Sequence, residues 1–276
     1  MDCALGVPAP ALQPFLQKYT GYRMEGYEPG VHRGLPSGLV TFIVSLDAPV
    51  DIAQMPDPRL PPSSLTAFVS GLHDSPAMIE HDGGQHGVSL DLTPFGVRTL
   101  FGMPASELAG IVVSLEDVLG RLGIELVERM REASTWQERF AAADLVLSKA
   151  MVGTHEPAPE IARAWDVIVD SEGTVEVGAV AKEVGWSRRH LSEKFRAELG
   201  ISPKVAARVT RFAHSRRMLT APGRHGLATI AAHCGYYDQA HLTREWNELA
   251  GCTPGTWLAE EELPSVQDDR AALGAA

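Results

Sequence analysis

Two segments in the C-terminal half of this 276-residue chain repeat one pattern, and the repeat constrains the fold more than any other feature. Residues 177–203 align with residues 227–254 at an offset of 50, which becomes 51 after one extra residue in the second copy. Each copy predicts a short helix, a glycine-containing turn and a second helix, which together make a helix-turn-helix unit. The matched pairs are Val177 and Leu227, Val180 and Ile230, Ala181 and Ala231, Val184 and Cys234, Gly185 and Gly235, His190 and His241, Leu191 and Leu242, Ser192 and Thr243, Phe195 and Trp246, Gly200 and Gly251, Ser202 and Thr253, and Pro203 and Pro254.

Local signals in both copies agree with this prediction. Gly185 and Gly235 follow the first helix, where glycine adopts the left-handed backbone conformation of a helix end most easily. Ser187 and Asp238 are placed to cap the second helix by accepting from its free N–H groups. A single helical hairpin with an apolar stripe is most often part of an ordinary core, but two copies with matched caps favour DNA binding. The stripes of the second helices are Leu191, Phe195 and Leu199, then Leu242, Trp246 and Leu249.

The faces opposite these stripes carry side chains that can bond with base edges in a major groove. They are found by counting ~100° per residue from Leu191 and from Leu242. These opposite faces consist of Arg189, Glu193 and Arg196 in the first copy and Ala240, Arg244 and Asn247 in the second.

The second copy also carries the pattern by which the chain resembles a known family, the AraC-type (AraC/XylS) transcription regulators. Their DNA-binding domain contains two helix-turn-helix units joined by a long helix, and the resemblance covers roughly residues 160–258. The family usually has phenylalanine where Tyr236, Leu242 and Trp246 stand. The residues that carry the resemblance are Ile230-Ala231, Gly235-Tyr236, Gln239, His241-Leu242, Arg244, Trp246, Gly251 and Thr253-Pro254.

The resemblance implies a sequence-specific regulator with recognition helices at about 188–198 and 239–250, inserted into successive major grooves. An arginine can pair with guanine through two hydrogen bonds, which suits Arg189 and Arg244. Glu193 either accepts from a cytosine amino group or orients Arg189. The implied base contacts are Arg189, Ser192, Glu193, Gln239, Ala240, His241 and Arg244. The implied contacts to phosphate, or residues that orient the helices, are Arg188, Lys194, Arg196, Arg211 and Thr243.

The segment 202–220 predicts the joining helix, because Ser202 can cap it and Pro203 suits its first turn. Two interpretations of Arg211 stay open: an internal pair with an acid, or a contact to phosphate. The predicted buried stripe is Val205, Val209, Phe212 and Leu219. The side chains predicted on the remaining faces are Lys204, Arg208, Arg211, Arg216 and Arg217.

The charge distribution supports DNA binding although the whole chain has a net charge of −11. Residues 174–258 carry 12 basic and 7 acidic side chains, whereas residues 1–173 carry 11 basic and 23 acidic ones. Positive charge is therefore concentrated in the repeated segment, as the neutralisation of phosphates requires. The acidic remainder should repel DNA and help to orient the molecule on it.

The first hundred residues differ from the rest, because short runs of β-forming residues alternate with prolines and glycines. We predict an α+β chain in which a β-rich, barrel-like N-terminal domain is closed by helices and followed by an all-α domain. The segment His81-Asp82-Gly83-Gly84-Gln85-His86 resembles a hairpin turn. The predicted strands are Leu39–Leu46, Val50–Gln54, Leu65–Ser70, Ala77–His81 and Val88–Thr93.

The predicted organisation begins with a sensing or dimerising domain over 1–152, β-rich over 1–104 and helical over 105–152. A linker over 153–160, a DNA-binding domain over 161–258 and an acidic flexible tail over 259–276 complete it. Helices are expected at 114–132 and at 134–151, the latter opened by a Ser134-x-x-Gln137 capping box. A further helix over 158–170 should lead the DNA-binding domain.

The sequence gives little support to a metal site or to an enzyme activity. His73, His81, Asp82 and His86 lie close in sequence, but their spacing fits a polar hairpin tip better than a metal site. No catalytic motif is present, so no enzyme activity, cofactor or metal is predicted. The alternative hypothesis is a small-molecule-binding or enzymatic N-terminal domain for which the repeats serve only as a tether.

Cysteine usage and the N-terminus bear on location. Three isolated cysteines favour a reduced cytoplasm, and the start Met1-Asp2, followed by prolines, is unlike a signal peptide. No apolar run approaches the ~18 residues of a membrane span, so we expect a cytoplasmic protein, and the resemblance implies a bacterial, nucleoid-associated one. The expected partner is promoter or operator DNA, and RNA polymerase, a small-molecule effector and a second copy of the chain are partners that the sequence leaves open.

Overall fold

A computed structural model describes residues 2–151, 153, 157–223 and 225–261, and these form ten strands followed mainly by helices. The strands are β1 (Asp2–Gly6), β2 (Leu16–Met24), β3 (Gly30–Gly34), β4 (Val40–Ser45), β5 (Val50–Gln54), β6 (Ser63–Leu65), β7 (Ala67–Ser70), β8 (Ala77–His81), β9 (Gln85–Leu92) and β10 (Val112–Ser114). The helices are α1 (Gly96–Phe101), α2 (Leu115–Leu119), α3 (Arg121–Glu132), α4 (Trp136–Ala150), α5 (Pro159–Asp170), α6 (Val177–Glu183), α7 (Arg188–Leu199), α8 (Pro203–Thr220), α9 (Leu227–His233), α10 (Gln239–Ala250) and α11 (Pro254–Glu260). A short 3₁₀ helix, Ala105–Leu108, lies between α1 and β10.

The strands make two antiparallel sheets that face each other. The larger sheet has the order β1-β2-β9-β4-β7-β10 and the smaller one has the order β3-β8-β5-β6. Ile43 and Phe68 from the larger sheet and Ile52 and Ala77 from the smaller share one apolar cluster between the sheets. The opposite face of the larger sheet packs against helices. The predicted α+β fold, with a β-rich N-terminal part and a helical C-terminal part, is confirmed.

Most of the predicted strands have counterparts in the two sheets, although the predicted Leu65–Ser70 is divided between β6 and β7. The sequence missed β1, β2, β3 and β10. In β2, Lys18 and Gly21 interrupt the run of β-forming residues. The ring of Trp136 lies over Gly21, where a Cβ atom would be only 2.3 Å from Cε3 of the indole. Close packing of a helix on the strand explains this glycine, and sequence periodicity does not reveal such packing.

The prediction of a hairpin turn over residues 81–86 was wrong. Strand β8 pairs with β3 and β5, whereas β9 pairs with β2 and β4, so the segment passes from one sheet to the other. Gly83 has a φ of 98°, and its carbonyl oxygen accepts from the backbone N–H of Tyr27. The glycines in this segment do mark a turn, but the turn connects a strand of the smaller sheet to a strand of the larger one.

The region 105–152 is not helical throughout, because β10 adds a strand to the edge of the larger sheet. The single helix predicted over 114–132 is divided into α2 and α3 at Gly120, whose φ is 55°. Helix α4 begins one residue later than predicted. Its capping box consists of Thr135 and Glu138, in place of Ser134 and Gln137.

Helix α5 starts at Pro159 and so includes the last two residues of the predicted linker. Residue 152, residues 154–156 of that linker and residues 262–276 of the predicted tail lie outside the described residues. Trp165 of α5 packs against the rings of Phe95 and Phe195. This tryptophan therefore joins the N-terminal part of the chain to α7.

The C-terminal helices divide between two apolar clusters. The first helix-turn-helix unit, α6 and α7, lies in a cluster that continues into the larger sheet and α1, α3 and α4. The second unit, α9 and α10, has its own cluster, centred on Phe212 and Trp246, to which the N-terminal part contributes Leu35. The two units thus depend on the N-terminal part to different extents.

Ion pairs also connect α7 and the end of α11 to the N-terminal part. Arg98 at the end of α1 makes two hydrogen bonds to the carboxylate of Glu198 in α7, at 3.0 and 2.7 Å. Arg33 in β3 bonds to Glu260 at 2.7 Å, and neighbouring His32 contacts Glu261, just after α11. Within the described residues, no helix is long and apolar enough to cross a membrane.

Candidate nucleic-acid interface

The first helix-turn-helix unit is built as the repeat predicts. After α6 the chain turns at Gly185, whose φ is 72°, and the Oγ of Ser187 accepts from the backbone N–H of His190 at 3.2 Å. The apolar stripe of α7 is fully buried, and Gly200 ends the helix in the left-handed conformation. The residues of that stripe are Leu191, Phe195 and Leu199.

The second unit repeats this geometry. Gly235 has a φ of 70°, and Asp238 caps α10 by accepting from the backbone N–H of His241 at 2.6 Å. Gly251 then ends α10 in the left-handed conformation. Leu242, Trp246 and Leu249 are buried. The predicted caps, turns and stripes are therefore confirmed in both copies.

Helix α8 joins the two units and is about 27 Å long at 1.5 Å per residue. Ser202 caps it through the backbone N–H of Val205, and Pro203 takes its first position. Ser215 in its second half accepts from the indole Nε1 of Trp246 at 2.9 Å, which ties α8 to α10. The prediction that Arg216 lies on an outer face was wrong, because only 3% of it is exposed.

The predicted base contacts of α7 lie at its solvent-facing side. The side chain of Arg189 is 90% exposed, and its Nε donates to Oε1 of Glu193 at 2.9 Å. This bond fits the second of the two roles predicted for Glu193, which is to orient Arg189. Ser192 is half-buried beside them.

In α10, Gln239, Ala240 and Arg244 are exposed at the equivalent side. His241 differs from them, because both of its ring nitrogens face the protein. Its Nδ1 accepts from the backbone N–H of Tyr237 at 3.2 Å, and its Nε2 is 3.8 Å from the carboxylate of Glu245. This arrangement suits a side chain that positions α10 better than one that contacts a base.

The predicted phosphate contacts also fall into two groups. Arg188, Lys194 and Arg196 are exposed, whereas Thr243 is half-buried and donates its hydroxyl to the carbonyl oxygen of Gln239 at 2.9 Å. These three exposed cations can approach a phosphate, whereas the hydroxyl of Thr243 is already engaged within α10.

Arg211 is held inside the domain. Its side chain is only 15% exposed and bonds to both carboxylate oxygens of Glu245, at 2.8 and 3.0 Å. The guanidinium also lies over the ring of Tyr236, 4.9 Å from its centre. This geometry favours the internal pair over the phosphate contact. Burial is the main cause that raises the pKa of the Tyr236 phenol above its ordinary value.

Sequence analysis missed one exposed residue at this surface. Tyr237 is 93% exposed and lies directly before Asp238, the cap of α10. It occupies the segment in which the second copy has one more residue than the first. The extra residue was visible in the alignment of the copies, and it could have directed attention to this position.

A cavity of about 660 Å³ lies between the larger sheet and helices α5 and α8. Its lining combines apolar and charged side chains. Lys18 and Asp91 of the sheet form an ion pair at 3.4 Å, and Glu172 pairs with His214 and Arg217. Burial is the largest of the causes that lower the pKa of His214. The apolar part of the lining includes Leu39, Trp165 and Val169.

The polar residues once considered for a metal site have other contacts. Nδ1 of His73 is 2.6 Å from the carbonyl oxygen of Ser75, and Nδ1 of His86 is 3.0 Å from the carboxylate of Asp47. In the part of the chain that the structure describes, no three histidine, cysteine, aspartate or glutamate side chains are grouped as metal ligands would be.

Comparisons with known proteins agree with this geometry. Residues 180–260 match a family model described as a helix-turn-helix domain, and residues 6–114 match one described as a domain of unknown function (DUF6597). No curated protein sequence matches the chain significantly.

Among solved structures, ToxT from Vibrio cholerae O395 is 13% identical, with a TM-score of 0.50, over 88% of this chain and 97% of that one. Unsaturated fatty acid bound wild-type ToxT from Vibrio cholerae strain SCE256 is 11% identical, with a TM-score of 0.51, over 88% and 94%. A transcriptional regulator from Chromobacterium violaceum, of the AraC-type DNA-binding domain-containing proteins, is 23% identical over 39% and 96%, with a TM-score of 0.35.

The likeness to ToxT at these identities establishes a shared fold over most of the chain. The matched helix-turn-helix model covers the second unit and most of the first, and the structure shows both units joined by α8. Residues 180–260 therefore form an AraC-type helix-turn-helix domain in the C-terminal part of the chain.

Proposed function

We propose that α7 and α10 enter successive major grooves on one face of a promoter or operator duplex. The observation that supports this most directly is the pair of equivalent, capped helices at the two ends of α8, each with an exposed polar face. Major grooves on one face of B-DNA recur about every 34 Å, which is comparable with the length of α8. The base contacts proposed are Arg189, Ser192, Glu193, Gln239, Ala240 and Arg244.

In this proposal Arg189 is held by Glu193 in the position from which it contacts a base, and Arg244 acts alone. A bidentate contact between arginine and guanine discriminates against other bases by ~1–3 kcal/mol. Lys194 and Arg196 contribute phosphate contacts, which position the protein without specifying sequence. His241, Arg211 and Thr243 act indirectly, by fixing α10.

The test begins with an unbiased selection of duplexes by the full chain, followed by affinity measurements. Arg244→Ala should weaken binding to the selected duplex by about tenfold or more and to random duplex by much less. Lys194→Ala is the matched control, because it should weaken binding to both duplexes similarly. Failure of the full chain to enrich any duplex, or equal losses for Arg244→Ala on both, would show that the proposal is wrong.

A second proposal concerns the cavity between the larger sheet and α8, which we infer to be an effector site. Three cations, Lys18, Arg216 and Arg217, and two acids, Asp91 and Glu172, line it beside apolar surface. Charged side chains beside apolar surface suit an apolar molecule with one carboxylate. A related structure, ToxT, is described as bound to an unsaturated fatty acid, so we propose that class of ligand.

Oleate is the probe, and oleyl alcohol is the control that lacks the carboxylate. A ligand present at 100 times its Kd stabilises the folded state by about 2.7 kcal/mol, which a thermal melt detects. We expect a shift with oleate, a smaller one with oleyl alcohol, and loss of the difference in Lys18→Gln. Equal shifts in wild type and Lys18→Gln would assign the effect to another part of the surface.

Further aspects of the function follow from the same proposal. We propose that the protein works by binding and without catalysis, in association with the bacterial nucleoid. Its N-terminal part over 1–152 would serve sensing or dimerisation, and RNA polymerase and a second copy of the chain are the partners proposed. Light scattering of the protein alone and on a selected duplex measures the number of copies bound.

A further inference from the structure

A groove of about 620 Å³ separates the two helix-turn-helix units. Its walls come from α6, the start of α7, the N-terminal half of α8, and α10. Six side chains in the walls are basic or imidazole groups, and three are acids. The former are Arg188, Lys204, Arg208, Arg211, His241 and Arg244, and the acids are Glu176, Glu245 and Glu248.

Some of the charged side chains in this groove form ion pairs with one another, and others do not. Arg208 and Arg211 are bonded to Glu245 and Glu248, so these four side chains neutralise one another. Across the described ranges, no ion pair or hydrogen bond engages the side chains of Arg188, Lys204 or Arg244, and all three are exposed. The groove therefore offers three uncommitted cations against one remaining acid, Glu176.

Arg188 enters the groove because the residue against which it packs, Gly178, has no side chain. Its guanidinium lies against Gly178 in the first turn of α6, where a Cβ atom would be 2.5 Å from Nη2 and 2.8 Å from Nε. Side chains do not approach a Cβ atom so closely, so any other residue at 178 would displace the guanidinium. Gly178 has no left-handed backbone conformation that would require glycine.

The second copy provides an internal comparison. Ala228 is equivalent to Gly178, and Gln239 is equivalent to Arg188, since each is the first residue of its recognition helix. The helix-turn-helix geometry thus accepts alanine at this position. Glycine occurs at this position in the first copy, in which the guanidinium of Arg188 crosses the first helix. The placement of Arg188 therefore explains Gly178.

We infer that this groove holds the sugar-phosphate backbone of the DNA segment between the two major grooves. Arg188 and Lys204 bind its phosphates, and Gly178 is the positioning residue for Arg188. Arg244 at the rim keeps the base contact proposed above. The inference rests on the proposed function, because it requires both recognition helices to be on the same duplex, and it adds the part of the DNA that lies between them.

The experiment measures the affinity of the full chain for a selected and a random duplex over a series of salt concentrations. Each phosphate contact contributes ~0.9 to the slope of log affinity against log salt. We expect Gly178→Ala to lower that slope by about 1 and to weaken binding to both duplexes by about three- to tenfold. Its thermal stability should equal or exceed that of wild type, since alanine suits a helix better than glycine.

A double-mutant cycle assigns the effect to Arg188. Arg188→Ala should reproduce the loss, and Gly178→Ala should then add nothing to it, whereas Lys204→Ala should lower the slope again. Gly226→Ala is the matched control, because a Cβ atom there meets nothing within 4 Å. Wild-type affinity in Gly178→Ala, or an undiminished loss in the Arg188→Ala background, would overturn the inference, even if wild type binds its selected duplex as proposed. Absence of selective binding by wild type would instead contradict the proposed function.

Discussion

Glu245 is the residue around which the charged side chains of the second unit are arranged. It is buried on α10 and bonds to Arg208 and Arg211 of α8, and the imidazole of His241 is 3.8 Å away. A buried carboxylate is tolerated when cations and hydrogen bonds compensate for its lost hydration. Glu245 therefore fixes the angle between α8 and α10, and with it the direction of the exposed face of α10.

We predict that Glu245→Ala destabilises the protein by about 2–4 kcal/mol, because it leaves two largely buried guanidinium groups without their acid. Urea denaturation measures this loss. Glu248→Ala is the control, since Glu248 is exposed and, among the residues that the structure describes, bonds to Arg208 alone. It should cost no more than about 1 kcal/mol. Similar costs for the two variants would show that Glu245 does not organise this cluster.

The caps of α7 and α10 and the exposed faces of these helices could be located from the sequence, but not every contact of their side chains. A count of 100° per residue gives the direction of a side chain but not what lies beyond it. Arg216 was predicted on an outer face, but it is buried and lines the cavity between the larger sheet and α8. For Arg211 the two alternatives could not be separated, because its partner Glu245 lies 34 residues away in the chain.

At the element scale, the start of α4 shows how local signals can be displaced by one residue. Ser134 and Thr135 both suit a cap, and both have an amide or acid three positions later. In the structure Thr135 is the cap: its Oγ1 accepts from the backbone N–H of Glu138 at 3.2 Å, and Glu138 accepts in return. Side-chain chemistry alone does not choose between the two registers, and the packing of Trp136 over Gly21 fits the one observed.

We predict that Thr135→Ala lowers the free energy of unfolding by about 1 kcal/mol. Ser134→Ala is the matched control and should change it by a few tenths, since the bond from Ser134 uses its backbone N–H, which alanine retains. Thermal or urea denaturation measures both. A larger loss from Ser134→Ala would mean that the register predicted from the sequence is the correct one.

The same cap should respond to pH. Backbone hydrogen bonds from Thr135 and Ser134 lower the pKa of Glu138 below its ordinary value of 4.5. A carboxylate whose pKa is lower in the folded state stabilises that state above its unfolded pKa, and the contribution disappears as pH falls through the folded value. The stability difference between wild type and Glu138→Gln should therefore shrink in acid. If the stability difference between the two proteins stayed the same at a pH below the folded-state pKa of Glu138, this role of the carboxylate would be contradicted.

The elements that could be predicted are those with signals inside their own sequence. Repeats, caps and apolar stripes identified α6 to α10 closely. Strands β3 and β10 were missed because their partners are distant in sequence: β3 pairs with β8, and β10 completes the edge beside β7. Gly120 divides one predicted helix in two, where a helical stripe on both sides suggested continuity.

At the scale of the whole molecule, the two helix-turn-helix units differ in what stabilises them. The core of α6 and α7 is continuous with that of the larger sheet, and Arg98 adds a bidentate bond to Glu198. The second unit has a separate core, to which the N-terminal part contributes Leu35, and the end of α11 pairs with His32 and Arg33. Regions with fewer shared apolar contacts open at lower free energy.

We predict that backbone amides of α9 and α10 exchange hydrogen faster than those of α5 and α7 in the free protein. Mass spectrometry of exchanged peptides measures the difference. Leu35→Ala should enlarge it, because it removes an apolar contact at the base of the second unit, and Ile161→Ala in α5 should reduce it. Equal protection of both units in wild type would mean that they open together.

The shared core of the first unit has a consequence for how operators evolve. In the proposed complex, one half of each binding site faces α7, whose core is continuous with that of the larger sheet. The other half faces α10, which belongs to a separate and smaller core and should therefore adjust more easily. A base change in the half-site of α7 should lower the affinity by the full cost of a mismatch. A base change in the half-site of α10 should lower the affinity less. Natural sites would therefore diverge unevenly along their length.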